Sequence, residues 1–317
     1  MKRFILVFLS VVALSASAGA AGKELKVIFW NIQNGMWAGQ EDNYDSFVKW
    51  VKAQKADVCI WAEAETIYHT GTSDRLPREE RYFIWEKVAP RYGHRHIYVA
   101  GHRDGYPQVI TSRYPIENVE KIVGDEDTVV THGAGWARIK VAGKTINLVS
   151  LHTWPQKNHF NCKGAAPEVL KASAERGEGD MYREQEMKWI CGHTILTDPQ
   201  AADNYWLMAG DFNAVSPKDN WVYRLPENST QLLTHKYILE NTPYVDVIWE
   251  RGPRNFHTTT FERKRIDFVY LSPALNDIVT DARIVEDEYT RPVRHEKVRN
   301  FQVPSDHLPI IVKFNIK

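Results

Sequence analysis

The sequence predicts an α/β protein with mixed, mostly antiparallel sheets, and three observations carry this prediction. The first part of the chain alternates strand, helix and strand: Leu25 to Trp30 is apolar and β-rich, apolar residues recur at helical spacing from Tyr44 to Ala53, and Val58 to Trp61 is again apolar. Further on, four short strand patterns follow one another without helices, which favours antiparallel pairing; they are Ile97 to Ala100, Val109 to Thr111, Gly135 to Val141 and Ile146 to Leu151. Finally, nearly every predicted strand ends in Asn, Glu, His or Asp.

The first 20 residues have the form of a secretory signal peptide. The basic residues Lys2 and Arg3 precede an apolar run from Phe4 to Leu14, and small residues follow. We therefore expect an exported protein, periplasmic or secreted, in which residues 1–20 are removed and residues 23–317 form one domain. No later stretch is long and apolar enough to span a bilayer.

The balance of basic and acidic residues indicates which kinds of partner to expect. The 317-residue chain has 40 Lys and Arg residues against 40 Asp and Glu residues. The leader holds two of the basic residues and no acid, which leaves 38 basic against 40 acidic residues in the mature chain. Such a balance gives no indication of a polyanionic partner. We expect the mature chain to be a monomer.

Three cysteines cannot all pair with one another. Cys59 lies in an apolar run and is expected to be a buried thiol. Cys162 and Cys191 flank a polar insertion, and disulfides persist in exported proteins, so a bridge between these two is predicted. A zinc site is the lesser alternative.

The second half of the chain continues the pattern of strands and helices. The segment from Ile67 to Arg95 is expected to be helical at its centre, and Tyr182 to Leu196 is the clearest helix in the sequence. Thr258 to Phe261 and Ile266 to Leu271 resemble a hairpin, and Ile310 to Phe314 is the last strand.

Polar residues follow the apolar strands. The run that begins at Leu207 ends in Gly210, Asp211, Phe212 and Asn213. In an extended chain Asp211 and Asn213 share a face while Phe212 points into the core, and an Asx-type turn is the structural alternative. Other strands end in the same manner, at Asn31, Glu63, His152, Asp267, Asp306 and His307.

Gathered at one edge, these groups form a metal-binding and acid–base set. Asn31, Glu63 and Asp306 offer the hard oxygen ligands that suit Mg²⁺. His307 beside Asp267 would have the oriented imidazole that a general base or a charge-stabilising cation needs. For each residue alone a structural or solvated role is the more frequent one, so the prediction depends on their recurrence at strand ends.

The order of these motifs resembles the endonuclease/exonuclease/phosphatase superfamily, which includes DNase I, apurinic endonucleases, inositol polyphosphate phosphatases and bacterial sphingomyelinases. The resemblance extends over essentially the whole mature chain. It implies a DNase I-like four-layer α/β/β/α sandwich of two mixed, mostly antiparallel sheets. It also implies a catalytic domain that hydrolyses phosphoesters with Mg²⁺ or Mn²⁺.

The resemblance also implies which residues bind the metal. Glu63 corresponds to the principal ligand, aided by Asn31 and Asp306. Glu65 is the alternative acid, but Glu63 lies where the family's acidic residue follows an apolar strand. Gln33 stands where some relatives carry a second metal-binding carboxylate, so metal affinity is expected to depend more heavily on Glu63 and Asp306.

The catalytic roles come from the same resemblance. Asp211 would position or deprotonate the attacking water, and Asn213 would bind a phosphoryl oxygen. Asp267 would orient His307, and His152 would donate to the phosphate or the leaving oxygen. The choice between base and cation for His307 stays open.

The expected substrate is a small or lipid-linked phosphoester, with phosphatase and phosphodiesterase activity both open. Basic residues are scattered among acids, whereas duplex binding needs clustered Lys and Arg, so a DNase I-like nuclease is the alternative. Trp37, Trp154 and the insertion from Asn158 to Asp180 could wall a pocket for a compact headgroup. Two further alternatives are a catalytically silent binding module of the same fold and, because the chain is rich in aromatics, a sugar-binding protein.

Overall fold

Two six-stranded sheets face each other in the computed structural model, which describes residues 22–103 and 106–317. The first sheet has the order β11-β14-β1-β2-β4-β3 and the second has the order β5-β6-β7-β8-β10-β9. The pairs β1–β2 and β7–β8 are parallel, and the other neighbours are antiparallel. The strands are β1 (Lys23–Asn31), β2 (Val58–Ala62), β3 (His96–Val99), β4 (Val109–Ser112), β5 (Glu117–Gly124), β6 (Val129–Val141), β7 (Lys144–His152), β8 (Tyr205–Asp211), β9 (Val245–Asp246), β10 (Asp267–Leu271), β11 (Val279–Ile284), β12 (Val293–Arg294), β13 (Gln302–Val303) and β14 (Ile310–Ile316).

Helices cover the outer faces of both sheets, and β12 pairs with β13 in a separate ribbon. The helices are α1 (Gln33–Met36), α2 (Asp45–Gln54), α3 (Trp85–Val88), α4 (Pro167–Glu175), α5 (Glu178–Gly192), α6 (Asn220–Tyr223), α7 (Leu233–Asn241), α8 (Val247–Arg251) and α9 (Pro273–Asn276). Short 3₁₀ turns extend several of them.

The alternation of apolar side chains along each strand builds the layers. In β1, Leu25, Val27 and Phe29 face the core between the sheets, whereas Ile28 and Trp30 pack outward against α2. Burying each such large apolar side chain contributes roughly 1.5–3 kcal/mol. In the second sheet the outward side chains pack against α5 and α7 in a third cluster. The four-layer α/β/β/α sandwich that the sequence analysis expected is confirmed.

Strand direction brings the polar strand ends together. Asn31 ends β1, and Glu63 follows β2, its parallel neighbour. In the second sheet His152 is in register with Asp211, and Asp211 is in register with Asp267 at the start of β10. The polar residues therefore collect at one end of the sandwich, as the sequence predicted.

Two predicted elements are wrong. The segment from Ile67 to Arg95 contains only the single helical turn of α3, flanked by 3₁₀ turns, because residues 66–82 are held by a bridge between Thr66 and Tyr82. Thr258 to Phe261 does not pair with β10, whose neighbours are β8 and β9. The Thr259 and Thr260 amides instead bond back to the Lys264 carbonyl, which closes a local loop.

The predicted Cys162–Cys191 bridge is also wrong, because all three cysteines are free thiols. Cys191 is fully buried on α5 among apolar side chains such as Met187 and Ile190. Cys162 is half-buried in the turn that precedes α4. Cys59 is buried, as expected.

The predicted leader lies outside the described residues. Within residues 22–103 and 106–317, no helix combines the length and apolar character that crossing a membrane requires.

Candidate active site

A histidine–aspartate pair forms the centre of the polar end. His307 Nδ1 lies 2.8 Å from Asp267 Oδ2. Because a carboxylate only accepts, Nδ1 carries the proton and Nε2 faces the site. Burial opposes protonation, but the charges of Asp267 and Asp306 outweigh it and raise the pKa of His307 well above its usual value. These neighbours favour the imidazolium form of His307.

The loop before β14 fixes the position of His307. Ser305 Oγ donates to the Asn31 carbonyl at 2.7 Å and accepts from the His307 amide at 3.2 Å. The Trp30 indole N–H donates to the His307 carbonyl at 2.8 Å. These bonds join the histidine backbone to the end of β1.

Asp211 lies between two histidines. Its Oδ2 is 3.5 Å from His152 Nε2 and 3.7 Å from His307 Nε2. Its Oδ1 accepts the Asn213 amide at 2.9 Å, which is the Asx turn considered as the structural alternative. Burial, together with the charge of Asp267, raises the pKa of Asp211 to about 7. A carboxylate in that range can accept a proton near neutral pH.

His152 is buried and neutral. Burial lowers its pKa well below the usual value, and the nearby His132 and His307 lower it further. Its ring centroid lies 4.4 Å from that of His132, which β6 delivers from the neighbouring strand. A neutral imidazole can donate a hydrogen bond without adding charge.

Asn31 connects the two halves of the site. Its Oδ1 accepts the Gln33 amide at 3.1 Å, so its Nδ2 must face the carboxylates. Nδ2 donates to Glu63 Oε1 at 3.2 Å and to Asp211 Oδ2 at 3.1 Å. In this arrangement Asn31 holds the carboxylates in place. Its predicted role as a metal ligand stays a prediction.

Glu63 and Asp306 fit a divalent cation. Burial raises the pKa of Glu63, and the charge of Asp306 raises it further. A metal ion between the two carboxylates would lower the pKa of Glu63 again, because a positive charge favours the ionised form. Glu63 Oε2 accepts the Asn34 amide at 3.1 Å. Next to Asn31 in the chain, and among the described residues, the buried amide oxygens of Gln33 and Asn34 have no hydrogen-bond donor.

A second arrangement of possible ligands is Asp211, Asp267 and His307, whose ligand atoms lie within 4.8 Å of one another. However, Asp267 Oδ2 already accepts the proton of His307 Nδ1. This group is better described as an acid–base relay, and the oxygen donors around Glu63 are the better match to Mg²⁺.

Four residues of the site have left-handed backbone. Glu63 has φ +53°, Asn213 has φ +46°, and Gln33 and Asn34 have φ +44° and +57°. Residues other than glycine in this region are strained by about 1–3 kcal/mol each, which the surrounding structure must offset. Such strain is typical of functional sites, where it aims side chains that regular structure cannot.

A cleft of about 1650 Å³ opens from Asn213, Asp306 and His307. One wall comes from the insertion predicted between Asn158 and Asp180 together with its flanking residues, and the other from residues 294–302. Basic side chains line both walls: Lys157, Arg176, Arg183, Lys264, Arg294 and Arg299. The insertion therefore shapes the cleft, as expected.

The two tryptophans predicted to wall the pocket do not line this cleft. Trp154 is 4 % exposed, and its indole N–H donates to the Asn158 carbonyl at 2.7 Å. Trp37 packs against Val298 and Phe301. Both are packing residues, and the suggested substrate contact of Trp154 is not supported by its position.

Two residues of this region were not predicted from the sequence. His132 lies within β6, but the predicted strand began only at Gly135. The β-branched run before it, from Val129 to Thr131, was the signal that could have extended the strand. Glu186 is a buried carboxylate on α5, and nothing in its helical pattern distinguished it from exposed acids on the same helix.

A sandwich that brings an oriented His–Asp pair together with the carboxylates of Asp211, Glu63 and Asp306 has the acid–base and oxygen-ligand groups that a metal-dependent phosphoester hydrolase uses. The profile of the endonuclease/exonuclease/phosphatase family matches residues 28–307, and the chain belongs to this family. Comparison with curated proteins found no match.

Solved structures with the same fold cover nearly the whole chain. An AP endonuclease from Archaeoglobus fulgidus is 19% identical, with a TM-score of 0.59 over 92% of this chain and 100% of that one. A 3'-5' exonuclease (NExo) from Neisseria meningitidis is 16% identical, with a TM-score of 0.57 over 92% and 100%. The human Nocturnin catalytic domain is 12% identical, with a TM-score of 0.56 over 93% and 94%. At these identities the likeness shows the fold alone.

Proposed function

We propose that this protein is an exported, Mg²⁺-dependent hydrolase of a small or lipid-linked phosphoester. The observation that carries the proposal is the geometry of His307, whose Nδ1 lies 2.8 Å from Asp267 and whose Nε2 faces Asp211 at 3.7 Å, while Asn31 bonds both Asp211 and Glu63. Mn²⁺ is the alternative ion. The signal-peptide pattern in residues 1–20 supports export.

The chain's own groups suit in-line attack by water. The water oxygen bonds to phosphorus while Asp211 accepts a proton from that water. Asn213 donates a hydrogen bond to a phosphoryl oxygen. The P–O ester bond breaks as the new bond forms; the leaving oxygen, hydrogen-bonded by His152, takes up a proton from solvent, and Asp211 returns its proton to solvent. His307, as a cation, stabilises the negative charge of the transition state. A divalent ion held by Glu63 and Asp306, with Asn31 beside them, would supply further charge neutralisation.

The charges of the cleft favour a compact substrate over duplex nucleic acid. Arg176 pairs with Glu178 at 2.6 Å, Lys264 pairs with Glu262 at 3.2 Å, and Arg183 pairs with Asp180. Neutralised cations are poorly suited to track a phosphate backbone.

Three basic side chains of the cleft are left for an anionic substrate. Among the described residues, no carboxylate lies within ion-pair distance of Lys157, Arg294 or Arg299. Three such cations suffice for one or two phosphate groups.

The test is a substrate panel at equal Mg²⁺, with sphingomyelin vesicles, inositol phosphates, sugar phosphates and supercoiled plasmid. We expect hydrolysis of a small or lipid-linked phosphoester, reduced at least ~100-fold in His307→Ala, since a catalytic acid, base or charge group contributes that much. Plasmid nicking that is far faster than the rest, falls steeply with salt and is lost in His307→Ala would replace this proposal with the nuclease alternative. No turnover of any substrate would favour the silent binding module.

A further inference from the structure

A buried carboxylate on α5 has no role in the chemistry described above. Glu186 is fully buried, and among residues 22–103 and 106–317 it accepts hydrogen bonds only from neutral groups. Thr131 donates its amide and its hydroxyl to Oε1, both at 2.8 Å, and the Trp154 amide donates to Oε2 at 2.7 Å. Burial raises the pKa of Glu186 to about 7, while these donors partly oppose the rise. A buried acid without a paired cation costs folding free energy, so its position calls for an explanation.

A second α5 side chain binds the other backbone polar group of Trp154. Arg183, one helical turn before Glu186, donates from Nη1 to the Trp154 carbonyl at 2.7 Å and to the Gln156 carbonyl at 3.0 Å. Asp180 pairs with the Arg183 guanidinium, and Thr230 Oγ1 donates to Asp180 Oδ2 at 2.7 Å. The α5 clamp, defined as Arg183 and Glu186, thus binds both the N–H and the C=O of Trp154.

The segment around Trp154 that the α5 clamp holds is connected to the active site by direct hydrogen bonds. The Thr153 amide donates to the Asp211 carbonyl at 3.0 Å, and Thr153 Oγ1 donates to the Phe212 carbonyl at 2.5 Å. The Thr153 carbonyl accepts from Asn213 Nδ2 at 3.1 Å. His152 directly precedes this segment, and Thr131 directly precedes His132, whose ring packs on His152.

We propose that the α5 clamp positions His152, Asp211 and Asn213 for catalysis, with Glu186 fixing the ends of β6 and β7 against α5. Arg183 and Glu186 are positioning residues, because they act through backbone groups and not on the substrate. The inference rests on the proposed hydrolase function. A displacement of about 1 Å at reacting groups can reduce turnover about 100-fold, so a clamp two residues from the chemistry is placed to control rate.

The test compares Glu186→Gln with a graded series at Thr131. A glutamine has one acceptor oxygen, so it leaves either the Thr131 or the Trp154 donors unsatisfied. We expect kcat to fall about 10-fold or more in Glu186→Gln with KM nearly unchanged, because the cleft cations are untouched. Thr131→Val, which loses only the hydroxyl donor, should lower kcat by less, and Thr131→Ser should restore the wild-type value.

Glu184→Gln is the matched control. Glu184 lies on the same helix, carries the same charge and pairs with Lys188 at 2.9 Å outside the clamp. Equal kcat values for Glu186→Gln, Glu184→Gln and wild type, measured well below the unfolding temperature, would overturn the proposal. If Glu186→Gln does not fold, the Thr131 pair decides: an unchanged kcat in Thr131→Val overturns the clamp.

Hydrogen exchange separates this inference from the proposed function. The peptide containing Trp154 should exchange faster in Glu186→Gln than in wild type or in Glu184→Gln, even if no substrate is known. An inactive wild type would contradict the hydrolase function and leave this readout intact. Unchanged exchange would contradict the clamp whatever the activity.

Discussion

At the scale of single residues, burial and neighbours give two histidines opposite properties. His152 and His307 both approach Asp211 Oδ2, at 3.5 and 3.7 Å. Burial and neighbouring histidines lower the pKa of His152, whereas Asp267 and Asp306 overcome burial and raise that of His307. One site thus has a neutral donor and a cation, an arrangement that separates the roles of two identical side chains.

Glu63→Gln is the residue-scale prediction for the metal. The amide keeps the shape and one acceptor oxygen but removes the charge that attracts the cation. We expect the Mg²⁺ concentration for half-maximal activity to rise about 10-fold or more, since ligand-sphere changes typically have effects of that size. A Mg²⁺ titration of initial rates measures it.

Glu65→Gln is the control for this titration. Glu65 is buried and lies two residues from the half-buried Glu63, so its substitution perturbs the same segment of the chain. If the Mg²⁺ titration curve is unchanged in Glu63→Gln but shifted in Glu65→Gln, then Glu65 and not Glu63 is the metal ligand.

At the scale of elements, the sequence predicted nine of the twelve strands of the two sheets, because their apolar patterns are strong, and it missed the edge strands β5, β9 and β11. It predicted the site through the polar residues that end these strands. Asn213 shows where prediction from strand patterns stops. The strand β8 ends at Asp211, so strand alternation does not apply to Asn213. The left-handed backbone of Asn213 directs its side chain to the Thr153 carbonyl. Thr258 to Phe261 was misassigned because hydrogen bonds within a loop leave no periodic signal.

A buried cluster of charged side chains lies just before the start of β10. Arg265 is 2 % exposed and contacts Asp246 directly and Asp219 at 3.5 Å. Its guanidinium also lies 4.3 Å from the Phe268 ring centroid. Because Asp267 follows two residues later, this group anchors the strand that presents the partner of His307.

Arg265→Met should destabilise the fold strongly. It leaves two buried carboxylates without their cation, and breaking such a group costs about 3–5 kcal/mol. Urea denaturation at neutral pH measures the loss. Arg263→Met, an exposed arginine in the preceding loop, is the control and should change the free energy of unfolding little. A loss below about 1 kcal/mol for Arg265→Met would contradict the anchoring role.

At the scale of the whole molecule, each sheet has a neutral histidine buried beneath its helices. Burial lowers the pKa of His94 to about 4 and that of His235 to about 3. His235 Nε2 lies 3.1 Å from the Ala214 carbonyl, which only accepts, so Nε2 carries the proton and Nδ1 accepts from the Tyr270 hydroxyl at 2.8 Å. A second proton on His235 would displace that hydroxyl donor in a dry environment.

These histidines predict loss of stability in acid. The unfolded chain takes up a proton on His235 below about pH 6.5, whereas the folded chain does so only near pH 3, so stability falls as pH decreases through that window. Between pH 7 and 4.5 this single group should remove roughly 2–3 kcal/mol, at 1.36 kcal/mol per pKa unit. Urea titrations of His235→Gln and wild type should be compared at pH 7 and pH 4.5. The drop in the free energy of unfolding between these two pH values should be smaller in the variant by roughly 2–3 kcal/mol. A loss of packing energy that is the same at both pH values does not affect this difference. His257→Gln, at an exposed histidine, should keep the wild-type pH dependence. The same slope in His235→Gln as in wild type would mean that His235 does not control the acid stability of this fold.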